Sequence, residues 1–513
     1  MKNKLYIILT ISILGVFACS KEVANTDDYQ PYSPAKDDAN AGDWKTIVLA
    51  KADEIAVPQP ESNTSAAYLK EVADVLTGMS GNDAARKKVI AYWSVGGAIR
   101  WNQIMRELVA KHNLPPKPNA DNTYPIPNSA NPFSYPEFPF SNPPYAARAY
   151  AYVSVAQYDA MVAANYYKRL YNRSAPYNVD VKIVPLVEKS STGSYPCEDA
   201  VMAGALIDIM KFMFPTETAY IDSKAAEQKQ YKMWAGAATL SDITAGEALG
   251  KAISAKVLAK AKSDGMKNAI GNQYLWDSLA NRKTTIGGEL WKSLETPARP
   301  PMLPFYGSVK TWLFDKSTMV NSIIPGAPLD MNTAEFKAQL AEVKSEVTGG
   351  NREHLRIAHF WADGAGTYTP PGHWNFIACE KMYANKMSDV RCARNLALLN
   401  IAMMDAGISC WFTKTLYYFP RPTQVDPSIK TLTGMPNFPS YMSGHSSFSG
   451  VASTILGHIF PSNNAEFAGQ AEEASLSRLY GGIHYKMDCD AGISTGNKIG
   501  KLAIEKAKKD GAE

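Results

Sequence analysis

The segment Ser443-Gly444-His445-Ser446-Ser447-Phe448 leads into Val451, Ala452, Ile455, Leu456 and Ile459, apolar positions that recur at helical spacing. Such a stripe predicts a helix laid against a core, and the serines and glycine just ahead of it supply N-cap chemistry. A capped core helix satisfies this pattern by itself. A helix start also offers free backbone N–H groups and the positive end of the helix dipole. The same spot therefore suits an anion, with His445 in the first turn able to donate to it.

The flanking residues strengthen the second reading. Downstream, Phe467, Ala471, Ala474 and Arg478 share one helical face, which turns the Arg478 guanidinium inward. A buried guanidinium is costly without a partner, and either an acid or a bound anion would provide one. Gly481-Gly482 closes that helix and His484 follows. Asp488 stands four residues on, able to hold one imidazole nitrogen and leave the other free as ligand or nucleophile. Upstream, Lys414 and Arg421 are seven positions apart, about two helical turns, with aromatic residues between and Pro422 as a stop. Taken singly, each cation is ordinary. Three permanent cations, a helix start and two histidines in the last quarter of the chain point together to a tetrahedral or trigonal-bipyramidal oxyanion, phosphate or vanadate. At about 4 Å and an effective dielectric near 20, each cation–anion pair contributes about 4 kcal/mol. Arginine suits bidentate oxygen contacts and lysine a point contact.

Working outward, helical periodicity covers 66–76, 83–112, 144–170, 198–214, 218–237 and 244–263, then 333–347, 352–361 and 373–411. The chain is therefore expected to be all-α, a bundle of helices with long proline-rich surface loops. One such loop is 114–144, whose Tyr124, Phe133, Tyr135, Phe138 and Phe140 give it aromatic surface to bury; a second irregular region is 270–331. A boundary near 330 separates an N-terminal helical region, 61–330, from a C-terminal catalytic region, 331–513.

At 513 residues, with 46% hydrophobic and 20% charged, the chain can bury a large core. A formal charge of +4 without a long Lys/Arg run argues against nucleic acid as a partner. Lys2 and Lys4 precede an apolar run over 5–18 that is too short to span a membrane and has the shape of an export signal. Val16-Phe17-Ala18-Cys19 resembles a bacterial lipoprotein signal. That resemblance implies a signal peptide over 1–19, lipidation at Cys19, and an exported protein anchored to a bacterial cell-envelope membrane. The polar, acidic stretch 20–60, with Asp27, Asp28, Asp37 and Asp38, reads as a flexible tether. Cys197, Cys379, Cys392, Cys410 and Cys489 match no zinc spacing, and an exported protein has room for one disulfide among them. Cys379, Cys392 and Cys410 lie in or beside apolar helical sequence, which favours buried thiols.

Lys-x6-Arg-Pro from Lys414, then Ser443-Gly444-His445, then Ser477-Arg478-x3-Gly482-x-His484-x3-Asp488 resembles the type 2 phosphatidic acid phosphatase (PAP2) and vanadium haloperoxidase superfamily. Phe438-Pro439-Ser440-Tyr441 and Ser477-Arg478-Leu479-Tyr480-Gly481-Gly482-Ile483-His484 are similar to the haloperoxidase branch. So are Trp361-Ala362-Asp363-Gly364, Thr369-Pro370-Pro371-Gly372-His373-Trp374 and Ala156-Gln157-Tyr158-Asp159-Ala160, which resemble exported bacterial members. The resemblance implies a helical bundle in which Lys414, Arg421, Ser443, the Gly444 N–H and Arg478 hold equatorial oxygens. It further implies that His484 bonds vanadium or attacks phosphorus, that His445 is the acid–base residue opposite, and that Asp488 orients His484. Asp405 is a candidate partner of Arg478, His373 a candidate at the pocket mouth, and Phe438 an apolar wall. Met442 departs from the proline usual in the family. The implied functions are a vanadate-dependent haloperoxidase acting on peroxide and halide, or a phosphatase acting on phosphate esters without a cofactor. A non-catalytic phosphate-binding lipoprotein is the third reading, and it would predict a broken set of ligands.

Overall fold

The computed structural model describes residues 29–124, 139–284 and 286–513. Cys19 with the rest of the leader, and Phe133, Tyr135 and Phe138, lie outside the described residues. The longer helices are α1 (Ala66–Ser80), α2 (Ala84–Trp93), α3 (Gly97–His112), α4 (Pro143–Tyr171), α5 (Glu198–Met213), α6 (Thr218–Trp234), α7 (Leu240–Lys262) and α8 (Gln273–Ala280). They continue with α9 (Ala334–Thr348), α10 (Arg352–Phe360), α11 (Thr369–Ala384), α12 (Asp389–Tyr417), α13 (Gly444–Ile459), α14 (Asn464–Tyr480) and α15 (Lys486–Ala507). Among the described residues there is no strand, as the periodicity predicts.

The centre of the fold is the pair α4 and α12, each 29 residues long and buried on almost every side. Their starts are fixed by side chains: Asn142 accepts from the Tyr145 N–H ahead of α4, and Ser388 from the Arg391 N–H ahead of α12. α4 packs against α12 and α5, α5 against α7, and α13 against α12, α14 and α15. The crossing of α13 and α15 positions the site. A Cβ at Gly492 would stand 2.7 Å from the Ser443 carbonyl, and one at Gly496 would stand 2.4 Å from that of Ser447. Only glycine permits this approach, which seats the start of α13 on α15.

Several expectations are corrected. One continuous apolar cluster includes Tyr29, residues of α4 and α12, and Ala512, so no break in the core appears near 330. The stretch 29–60 is not a free tether. Tyr29, Trp44, Leu49 and Val57 are buried, and Asp159 accepts from the N–H groups of Ile47, Val48 and Leu49 at 2.7, 2.8 and 2.9 Å. Asp38 is buried against Arg391, and the exposed Asp43 pairs with Arg169. The predicted helix 83–112 breaks at Gly96, whose φ of +115° excludes a side chain, and the Asp389 carboxylate caps the restart by accepting from Gly97 and Ala98. The predicted helix 373–411 divides at Lys386, also left-handed, and its first half starts at Thr369 with Pro370 and Pro371 in the first turn. In the proline-rich loop, the Tyr124 hydroxyl donates to the Pro297 carbonyl and the Arg299 guanidinium lies 5.8 Å from the Phe140 ring. The described cysteines are all buried, and none forms a disulfide among the described residues.

Asp405 is also reassigned. Its carboxylate accepts from the Trp312 N–H at 2.9 and 3.1 Å and from the Leu313 N–H at 2.8 Å, tying the irregular stretch before α9 to α12 rather than meeting Arg478. Burial pushes this carboxyl up to about 8. The folded state thus binds the proton more tightly than the unfolded chain. The stabilisation is complete below the ordinary carboxylate pKa and declines as the pH rises toward 8. Asp405→Ala is expected to lower stability by about 1–3 kcal/mol, measured by thermal unfolding, with phosphate affinity unchanged. Loss of anion binding at wild-type stability would return Asp405 to the Arg478 role.

Candidate active site

Lys414 occupies the last turn of α12, which ends at Tyr417; Tyr418 is left-handed at φ +50°. Arg421 then caps a one-turn helix, Pro422–Val425. The two cations reach one cavity by this reversal, not by two turns of a single helix. What holds them is backbone. The Lys414 ammonium donates to the carbonyls of Pro439 and Ser440, each at 2.8 Å. Arg421 donates from Nε to the Phe438 carbonyl at 3.0 Å and from Nη1 to the Ile483 carbonyl at 2.7 Å. Arg478, in the last turn of α14, donates to the Ser477 hydroxyl at 2.8 Å and to the Ala358 carbonyl at 3.1 Å.

All three are essentially fully buried, and among the described residues none has a carboxylate within 4 Å. Other buried cations are paired with acids, Arg148 with Asp264 at 2.6 Å and Arg394 with Asp510 at 2.7 Å. Carbonyl dipoles orient a cation without cancelling its charge, so the site keeps a positive excess. Burial pushes the Lys414 ammonium down to about 7, with the Arg421 charge adding to the shift. Burial also lowers both guanidiniums, which arginine tolerates while staying charged.

His484 faces this charge. Its Nδ1 lies 2.7 Å from Asp488 Oδ2, and Arg421 Nη1 donates to its Nε2 at 3.0 Å. That pattern assigns the hydrogen to Nδ1 and a lone pair to Nε2. Burial, then Arg421, Lys414, Arg478 and His445, push His484 well below the usual histidine range, so the ring is neutral. Burial holds Asp488 up at about 6, opposed by the Ser440 hydroxyl, which donates to the same Oδ2 at 2.5 Å.

Ser443 is the N-cap of α13: its hydroxyl accepts from the Ser446 N–H at 3.3 Å, and its own N–H donates to the Asp488 carbonyl at 3.0 Å. A Cβ built on Gly444 would meet the Trp411 ring at 3.7 Å, an ordinary van der Waals contact. His445, half-buried in the first turn, has an Nε2 without a hydrogen-bond partner, 3.9 Å from Asp363 Oδ2. His373 joins the same group, with Nδ1 3.1 Å from Asp363 Oδ1. The Phe438 ring lies 4.9 Å from the Arg421 guanidinium and 5.1 Å from the Lys414 ammonium, against Trp411. Met442 is fully buried, and Ser440 and Ser443 on either side keep their contacts.

The sequence reading assigned no role to Asp363, Ser440 or the Ala358 carbonyl. Asp363 and Ser440 sat inside motif segments, but neither has a spacing that announces its partner.

Residues 395–509 match the PAP2 superfamily, and no curated protein matches the chain. Among solved structures, a bacterial vanadium-dependent iodoperoxidase is similar at 22% identity and a TM-score of 0.56, over 71% of this chain and 91% of its own. A bacterial vanadium-dependent chloroperoxidase, holo form, is similar at 15% identity and a TM-score of 0.51, over 75% of this chain and 96% of its own. The segment that carries Lys414, Arg421, Ser443, His445, Arg478, His484 and Asp488 thus belongs to the PAP2 superfamily, on the all-α fold seen in vanadium-dependent haloperoxidases.

Proposed function

We propose that this protein is a vanadate-dependent enzyme that uses peroxide to oxidise halide. One observation carries the reading: three buried cations, held largely by carbonyls with no carboxylate within 4 Å among the described residues, all act on His484, and Arg421 donates to its Nε2. The donors present fit a tetrahedral oxyanion. Arg421 Nη2 is buried without a partner, and two of the three ammonium hydrogens of Lys414 are engaged, which leaves one. The first-turn N–H groups of α13 complete the set. Lys414, Arg421, Ser443, Gly444 and Arg478 would hold the oxygens, and His484 Nε2 would bond the metal. Vanadate, when bound, supplies a Lewis acid that polarises peroxide toward halide. Asp488 keeps the proton on His484 Nδ1, and His445 takes and returns a proton at Nε2. Two structural relatives are named as an iodoperoxidase and a chloroperoxidase, which supports the reading.

The PAP2 match favours a second reading in the same cavity. His484 Nε2 attacks phosphorus, an N–P bond forms and the ester P–O bond breaks, and His445 protonates the departing oxygen. Water then cleaves the N–P bond.

Protein lacking residues 1–19 is to be assayed for halogenation of monochlorodimedone with vanadate, peroxide and bromide, beside phosphomonoester hydrolysis without vanadate. Halogenation that disappears in His484→Ala is the expected result. Hydrolysis alone, inhibited by vanadate, overturns the first reading in favour of the second. Arg421→Ala is expected to weaken phosphate binding about ten- to a hundredfold by calorimetry, the value of a charge-assisted hydrogen bond.

A third expectation follows from Lys414. Because burial depresses its ammonium to about 7, the free site loses a charge above that pH, while a bound anion restores it. Sulfate, whose own charge is constant from about pH 5 to 9, should therefore bind progressively more weakly above pH 7 and take up a proton on binding. Calorimetry in buffers of different ionisation enthalpy measures both; affinity flat with pH would refute the assignment.

A further inference from the structure

The Asp363 carboxylate stands between two imidazoles, 3.1 Å from His373 Nδ1 and 3.9 Å from His445 Nε2. Its backbone is left-handed at φ +44°, a conformation that costs a non-glycine residue about 1 kcal/mol or more and persists only where neighbours impose it. Neighbours do so on both sides. The Trp361 indole N–H donates to Glu473 on α14 at 2.9 Å, and Asn113 donates to the Gly364 carbonyl at 2.8 Å. The His373 ring stacks on Trp361 with centroids 4.4 Å apart, which fixes its plane and aims Nδ1 at Asp363.

We propose that His373 is a positioning residue that acts through Asp363 on His445, holding the carboxylate toward that imidazole so that it accommodates the positive charge of a proton gained at Nε2. The inference rests on His445 being the acid–base residue. His445 faces Arg478 from α14, His373 from α11, Asp363 and the carbonyls of Trp361 and Ala362 from the loop after α10, and His484 from the start of α15. Burial, the Arg478 charge and the His373 ring press His445 well below the usual histidine range, and the two carbonyls oppose them. Asp363 is attracted to Arg478 as well, and released from His373 it would turn to the guanidinium. The Nδ1–Oδ1 contact is what keeps it on His445.

The chain has seven histidines, few enough to follow each ring by isotope-labelled NMR in the full-length protein. His373→Phe keeps an aromatic stack on Trp361 and removes the donor. It should lower the His445 protonation midpoint by about one pH unit, a tenfold loss of proton affinity. His373→Asn, whose amide N–H falls where Nδ1–H stands, should restore the midpoint. The Asp363→Asn/His373→Phe double variant should lower it no further than Asp363→Asn alone. An unchanged or raised midpoint in His373→Phe, or additive shifts in the double variant, overturns the proposal. If His373→Phe does not fold, His373→Gln, whose amide reaches the Nε2 position instead, takes its place. Phosphate added to the wild type is scored separately through the His484 resonance; no response there refutes the oxyanion site and leaves the His445 result to stand on its own.

Discussion

Three cations in the protein interior are tethered to main-chain carbonyls rather than to acids, and the rest of the catalytic end is arranged to make that tolerable. A carbonyl dipole satisfies an N–H without removing its charge. The carbonyls of Phe438, Pro439, Ser440, Ile483 and Ala358 therefore fix Lys414, Arg421 and Arg478 in place while leaving their combined field intact. An acid in the same positions would have compensated the charge and closed the site to a guest. The cost is borne as depressed proton affinity, most visibly at Lys414, and a bound oxyanion relieves it.

The fold brings those cations and carbonyls together where helices stop or start. α12 ends in the left-handed Tyr418, so the chain doubles back and presents Arg421 beside Lys414. α14 ends at Tyr480, with Gly482 left-handed at φ +75°, and delivers the Ile483 carbonyl and His484 together. α10 ends just beyond Ala358, which meets Arg478. The glycine-permitted crossing of α13 and α15 then sets the helix start at Ser443 beside Asp488, whose carbonyl accepts the Ser443 N–H. Regular helix gives the frame its stiffness, and the irregular ends carry the chemistry.

What the sequence made legible follows the same division. Arg478 on an inward helical face, Asp488 within reach of His484 and Ser443 as an N-cap are all properties of local periodicity, and all hold. The errors are long-range. Asp405 and Lys414 lie on one helix, yet Asp405 answers to backbone about ninety residues earlier, which no spacing announces. Residues 29–60 are polar enough to look unstructured, but Asp38 finds Arg391 at a separation of 353 positions. The break at Gly96 depends on a contact from outside, Asp389 capping α3 from across the molecule, whereas the break at Lys386 is followed by a local cap, Ser388 at the start of α12. Asp363 escaped notice for the same reason, since its two histidine partners come from different helices.

The two histidines of the site show how one residue type is given opposite tasks. Burial and the surrounding cations lower the proton affinity of His484, and Asp488 and Arg421 between them fix the tautomer, so Nε2 stays an open lone pair. That is the requirement for a bond to either vanadium or phosphorus. It explains why these ligands alone do not separate the two chemistries. His445 is buried beside the same cations, yet it also meets groups that favour its charged form, the carbonyls of Trp361 and Ala362. Burial still holds His445 well below the usual histidine range, and these carbonyls, with the Asp363 carboxylate 3.9 Å away, are the groups that favour its protonated form. On the proposed reading, what distinguishes an acid–base histidine from a ligand histidine here is the segment 361–363, which lies outside the PAP2 match at 395–509.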